Sequence, residues 1–132
     1  MKHYNVVAAV VCHDGKYLCM QKGKTKFEYT SYKWEFPGGK IEPGETPQQA
    51  LARELMEEME YPVEVGEELV TVNHEYPDFS ITMTAFLCTP KGDANGLRRR
   101  EHADSKWCSK DELKGLNWAA ADVGIVGSIL QD

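Results

Sequence analysis

The chain has 132 residues, 42% of them hydrophobic, enough for one globular domain with a core of its own. Fifteen Lys and Arg against 21 Asp and Glu leave a formal net charge of −6. That charge argues against a duplex nucleic-acid binder, which presents a basic footprint, and leaves open a phosphorylated small molecule whose charge a cation neutralises.

Residues 4–12 read as a strand, Asp14-Gly15 as a two-residue hairpin turn, and residues 17–21 as the partner strand. The apolar run at 6–11 is too short to span a membrane. Residues 22–33 form a polar, mobile-looking loop, and 34–36 a short strand entering a glycine- and proline-rich loop, Phe36-Pro37-Gly38-Gly39-Lys40 and Pro43-Gly44-Glu45. Thr46, followed by Pro47, Gln48 and Gln49, is a capping box with proline at the first helical position. Strong helix formers then continue to Met59. Residues 63–75 and 79–88 pair as strands joined at Pro77-Asp78, the second alternating with strand period. A loop over 89–100 carries Gly92, Gly96 and Arg98-Arg99-Arg100, read as a solvated run. Residues 106–108 form a short strand, 110–113 a helical turn and 119–130 a closing helix. No repeat or linker divides the chain, so 1–132 is expected to be one domain. Cys12, Cys19, Cys88 and Cys108 lack metal-site spacing and fit reduced residues of a cytoplasmic protein.

The helix beginning at Pro47 is the informative element. At about 100° per residue, Glu54, Glu57 and Glu58 share one narrow sector, while Leu51, Ala52, Leu55, Met56 and Met59 lie opposite. Ala50 is expected on the acidic side, one turn before Glu54. Carboxylates at i, i+3 and i+4 repel by roughly 0.2–0.5 kcal/mol per pair, and the C-terminal half of a helix disfavours negative charge. The pattern makes sense if a hard, oxygen-seeking dication such as Mg²⁺ sits against it. Arg53 is placed to meet Glu57 at i+4.

Gly39-x5-Glu45-x7-Arg53-Glu54-Leu55-x-Glu57-Glu58 resembles the Nudix box, which here spans 39–61. Glu60 stands where the family has a left-handed terminating Gly, and Tyr61 where it has an aliphatic residue; Pro62 is expected to take over as the stop. The resemblance implies an α/β fold, the Nudix α/β/α sandwich with a mixed β-sheet between helices. It assigns Glu54, Glu57, Glu58 and the carbonyl of Gly39 to Mg²⁺, with Mn²⁺ a possible substitute. Catalytic roles fall to Arg53 and to one of Glu54, Glu45 or Glu101 as the base that takes a proton from water. For Glu45 the alternative is a helix N-terminal charge, and for Glu101 an ordinary loop charge.

Trp34 to Glu42 and Glu101 to Ser109 resemble the small nucleotide-sanitising members of the family, the 8-oxo-dGTP diphosphatases and CTP pyrophosphohydrolases, and Trp118 to Asp122 is more like the latter. The resemblance implies hydrolysis of a nucleoside triphosphate to monophosphate and pyrophosphate. It implies Asp122 facing the base, Lys22 reaching phosphates, and Trp34 with Phe36 walling the base pocket. Each has a plain alternative: a helix-end charge, a solvated lysine, and core aromatics. CTP-like or modified pyrimidine nucleotides are the expected substrates, with 8-oxo-dGTP or a nucleoside diphosphate conjugate such as ADP-ribose as rivals, and a non-catalytic nucleotide sensor as the remote one. The expected partner is a nucleotide, with neither nucleic-acid polymer nor membrane, acting on a monomer or homodimer.

Overall fold

The apolar run near the N-terminus becomes the central strand of the computed structural model, which describes residues 2–131. Strand β1 (Lys2–His13) buries Val7, Ala9 and Val11 in one core cluster and Ala8 and Val10 in another. A strand that is apolar on both faces must be covered on both, which calls for a helix layer on each side of the sheet.

Asp14 and Gly15, at φ 51° and 74°, turn β1 into antiparallel β2 (Lys16–Lys22). Positive φ at both positions is the backbone of a type I′ hairpin, whose twist suits the flanking strands. Strands β3 (Trp34–Glu35) and β7 (His102–Cys108) both pair antiparallel with β2, and β4 (Gly38–Lys40) pairs antiparallel with β1 through Val7↔Gly39. On the other side β6 (Phe79–Pro90) runs parallel to β1, from Lys2↔Phe79 to Val11↔Cys88, with antiparallel β5 (Val63–Glu75) beyond it. Among the described residues this is one mixed, seven-stranded sheet with the path β3-β2-β1-β6-β5.

Helix α1 (Pro47–Met59) buries Ala50, Leu51, Leu55 and Met59 in the cluster that holds Val7, Ala9, Leu18 and Met20. Helix α2 (Lys110–Leu113), one turn long, and α3 (Val123–Leu130) put Leu113, Ile125, Val126 and Ile129 in the cluster of Ala8, Val10, Met83 and Ala85. Full burial of each large side chain is worth about 1.5–3 kcal/mol, so the two clusters clamp the helices to the sheet. The expected sandwich is present, and no helix among the described residues is long and apolar enough to cross a membrane.

Several local expectations need correction. Ala50 is fully buried instead of lying on the acidic side, and Met56 is exposed, because the stripe that packs on the sheet runs Ala50, Leu51, Leu55, Met59. Residues 38–40 are a strand, since β1 offers them a partner. The 22–33 segment is pinned: it holds a 3₁₀ turn at Glu28–Thr30, Thr25 N donates to Ser31 Oγ (2.9 Å), and Tyr29 Oη donates to Asp78 Oδ2 (2.6 Å). Strand β7 starts at His102 because β2 pairs it that far, and the closing helix opens with a 3₁₀ turn at Ala120–Asp122.

The helix stop also differs. The capping box forms as expected, with Gln49 N donating to Thr46 Oγ1 at 3.1 Å and Thr46 N to Gln49 Oε1 at 2.9 Å. At the other end Glu60 itself takes the left-handed conformation, φ 50° and ψ 43°, and Pro62 is not needed as the terminator. Arg100 Nη2 lies 2.7 Å from Glu60 Oε2 and holds it there. A side chain in that conformation costs about 1–2 kcal/mol, more than an exposed ion pair of about 0–1 kcal/mol returns. Glu60→Gly is therefore expected to raise stability by roughly 0.5–1 kcal/mol; a lower midpoint in thermal or urea unfolding would contradict the assigned strain.

Candidate active site

The capping box and the packed stripe fix the rotation of α1, and that rotation sends its glutamates toward β4. A Cβ on Gly39 would collide with the Glu54 carboxylate, so glycine there is a requirement of close approach. Gly38 faces the same demand from the Val7 backbone.

Arg53 organises the outer side of this helix. Its Nε donates to Glu45 Oε2 (2.6 Å) and Nη2 to Glu45 Oε1 (2.9 Å), a bidentate fork. Nη1 donates to Glu54 Oε1 (3.0 Å) and Glu57 Oε2 (3.1 Å), and Nη2 to the carbonyl of Lys40 (3.1 Å). Glu45 Oε1 also accepts from Glu42 N (2.9 Å). Hydrogen bonds from Arg53 first, then from the Glu42 amide, hold the Glu45 carboxyl below its ordinary range. In this arrangement Glu45 is occupied with Arg53 and does not line the cleft. Glu57, 58% exposed, points to Arg53 as the i+4 spacing suggested.

Glu58 faces the other way, into an open cleft of about 1270 Å³. Its Oε2 is buried without a hydrogen-bond partner. Burial first, then the charges of Glu35 and Glu54, a hydrogen bond to Glu54 and the charge of Glu101, push its carboxyl up to about 8. Gly39, Glu35 and Glu101 line the same cleft. Among the described residues no three acidic, His or Cys side chains already converge as a closed ligand set. The donors nevertheless suit a hard dication: all are oxygens, and one, on Glu58, is orphaned. Glu54, Glu58 and the carbonyl of Gly39 would hold such an ion, with Glu57 joining from the Arg53 side.

The rest of the cleft is of different character. Lys2, Lys22, Lys24, Lys26 and Lys40 contribute to its walls, with Lys40 Nζ 4.2 Å from the centre of the Tyr4 ring. Phe36 and Asp122 also line it, whereas Trp34 does not. Trp34 is tied instead to the segment before α3, its N–H donating to the Asn117 carbonyl and its carbonyl accepting from Ala119 N. Asp122 is 4% exposed and accepts from Phe36 N at 2.9 Å through Oδ2, making no cap bond to α3. Burial, then the charge of Glu35, raises its carboxyl well above the ordinary range, opposed by the Phe36 N–H and by Lys22.

Glu35, His102 and Tyr76 also belong to the cleft, though the sequence reading assigned them no role there. Glu35 sits within the Trp34-Glu35-Phe36 string that carried the family resemblance, a signal that was available. Tyr76 Oη accepts from Ala121 N at 3.1 Å, a contact across 45 residues that no local pattern announces.

The chain belongs to the Nudix family: the model of the NUDIX domain matches residues 1–125. It is 35% identical over 131 residues to the CTP pyrophosphohydrolase of Escherichia coli strain K12, covering 98% of this chain and 93% of that protein. It is 41% identical over 88 residues to an 8-oxo-dGTP diphosphatase of Proteus vulgaris, covering 67% of this chain and 78% of that one. The solution structure of the E. coli ORF135 protein superposes with a TM-score of 0.82 at 34% identity, covering 99% of this chain and 91% of that one. Hydrolases of this family generally use divalent metals.

A carboxyl raised in the fold disfavours the folded state progressively as pH climbs from its unfolded value, about 4.3, toward the folded one. With EDTA present, Glu58→Gln is expected to melt higher than wild type near pH 9, with the gap closing by about pH 4. Scanning calorimetry checks this, and an equal or lower melting temperature near pH 9 would exclude the repulsion described.

Proposed function

We propose that this chain is a Mg²⁺-dependent nucleoside triphosphate pyrophosphohydrolase that prefers CTP, dCTP or modified pyrimidine nucleotides. The observation that carries the reading is one cleft lined together by Glu58, by five lysines and by the buried acceptor Asp122 with the rings of Phe36 and Tyr76. When bound, the dication supplies charge neutralisation at the phosphates and an acidified water. Glu54, Glu58 and the Gly39 carbonyl hold it, with Glu57, and Arg53 keeps the Glu54 and Glu57 carboxylates oriented. Lys22 and its neighbours on the cleft wall meet the phosphates as point charges. Glu101, exposed and lining the cleft, takes the proton from water, whereas Glu45 is engaged by Arg53.

In the same cleft Asp122 suits a base that presents an amine, since a carboxylate oxygen accepts its hydrogen bond. Cytosine offers that amine, and the CTP pyrophosphohydrolase of E. coli matches nearly the full chain. Guanine offers an amine beside a ring N–H, and the P. vulgaris relative keeps 8-oxo-dGTP as the second reading. The reaction is NTP + H₂O → NMP + pyrophosphate.

The deciding experiment is a panel of NTPs, dNTPs, 8-oxo-dGTP, 5-substituted dCTP and ADP-ribose with Mg²⁺ or Mn²⁺, scored by pyrophosphate release. A cytosine nucleotide at the top of the kcat/KM ranking supports the proposal, 8-oxo-dGTP at the top favours the second reading, and ADP-ribose at the top refutes both. Glu57→Gln and Glu58→Gln are each expected to lower turnover by at least about 10²-fold with the fold intact; near-normal turnover in either removes it from the metal set. Asp122→Ala is expected to flatten the base ranking more than it lowers the maximal rate, so an unchanged ranking would place the base elsewhere.

A further inference from the structure

Two buried side-chain polar atoms among the described residues have no hydrogen-bond partner, Glu58 Oε2 and His102 Nδ1, and both residues line the cleft. The first belongs to the acidic cluster. The second belongs to nothing assigned so far. The His102 side chain is 6% exposed, and its Nε2 lies 3.0 Å from Glu35 Oε2. The other Glu35 oxygen is 3.6 Å from Lys22 Nζ, so one carboxylate bridges a lysine and a histidine.

Strand register explains how three distant residues meet. Lys22 ends β2, and both β3, with Glu35, and β7, with His102, pair with that strand. The β2–β7 ladder slips between Gln21 and Lys22: Gln21 faces Asp104, and Lys22 faces His102. A bulge of this kind takes up the extra residue, here Ala103, and re-aims the side chain beside it. A histidine that merely joined two strands would have both ring nitrogens satisfied, since a buried unpaired one costs about 1–3 kcal/mol. A carboxylate at Nε2 selects the tautomer with the proton there and leaves Nδ1 as a lone-pair acceptor. Glu35 is among the charges acting on both Glu58 and Asp122, so its placement bears on both of those carboxyls.

We propose that His102 is a positioning residue of the active site, which holds Glu35 against Lys22 through Nε2 and accepts a hydrogen bond from the bound nucleotide at Nδ1. The inference rests on the nucleotide-hydrolase reading and deepens it. Steady-state kinetics on CTP, or on the best nucleotide of the panel, compare wild type, His102→Phe, Glu35→Gln and the double variant. Each single variant is expected to lose roughly 10- to 100-fold in kcat and to raise KM, since each loses the Nδ1 contact with the bound nucleotide, and the double variant to be no worse than the poorer single. Losses that multiply in the double variant, or an unchanged kcat in His102→Phe, overturn the proposal. Nitrogen NMR of histidine-labelled, metal-free protein supplies a readout without turnover. The Nε2-protonated tautomer is expected in wild type and lost in Glu35→Gln, and the Nδ1 resonance is expected to move when CTP is added. A tautomer indifferent to Glu35, or an Nδ1 resonance indifferent to CTP, counts against His102. A wild-type protein inert toward the whole panel counts against the proposed function, and the NMR result still decides the role of the histidine.

Discussion

The geometry of the acidic helix depends on one guanidinium. Arg53 reaches Glu45, Glu54, Glu57 and the carbonyl of Lys40, and so ties α1 to the segment that precedes it. Without a cation among them, carboxylates spaced i, i+3 and i+4 would work against the helix they stand on. Arg53 quenches them on one side only. Glu54 and Glu57 share its positive charge, while Glu58 is turned into the cleft with an orphaned oxygen and no counter-ion. The uncompensated charge is thereby concentrated where a phosphate-bearing ligand and its metal would enter.

That concentration is useful because the sandwich puts something different opposite it. Strand β1 is shared by both halves of the sheet, pairing with β4 beside α1 and with β6 over the same stretch. Gly39 and Glu58 on the acidic side and the apolar side chains of Tyr4, Phe79 and Ile81 therefore line one space. Five lysines line it, as does Asp122, which is bonded to the Phe36 amide, with Tyr76 bonded to the adjacent Ala121. The two glycines of β4 are the condition for this closeness, since a side chain at either would strike Val7 or Glu54.

The legible parts of the chain were those whose cause is local. The hairpin at Asp14-Gly15, the capping box at Thr46 and the helix to Met59 each follow from residues within a few positions of one another, and each formed where expected. Helical period likewise put Glu54, Glu57 and Glu58 on one side of α1, but it could not tell that Glu57 turns to Arg53 while Glu58 lines the cleft. The misreadings have a common origin. Glu60 keeps the left-handed stop with help from Arg100, which is 40 positions away in the chain, and Ala50 is buried because the sheet lies closer to it than a helical wheel can tell. The 22–33 segment is polar enough to read as mobile, yet Tyr29 is fastened to Asp78, 49 residues on. Trp34, a plausible stacking wall in sequence, is drawn away from the cleft by backbone bonds to Asn117 and Ala119.

What the amino-acid sequence determined by itself was the acidic helix, its cap and its lead-in, along with the two-faced central strand that demands a layered fold. These are set by hydrogen bonds and side-chain periodicities spanning at most a few residues. Tertiary structure alone decided which carboxylate faces the cleft, that Asp122 is buried against Phe36, and that Glu35 meets His102 across 67 residues through a slipped ladder. Register between strands is chosen by the packing of the whole sheet, and no short stretch of the chain carries that information.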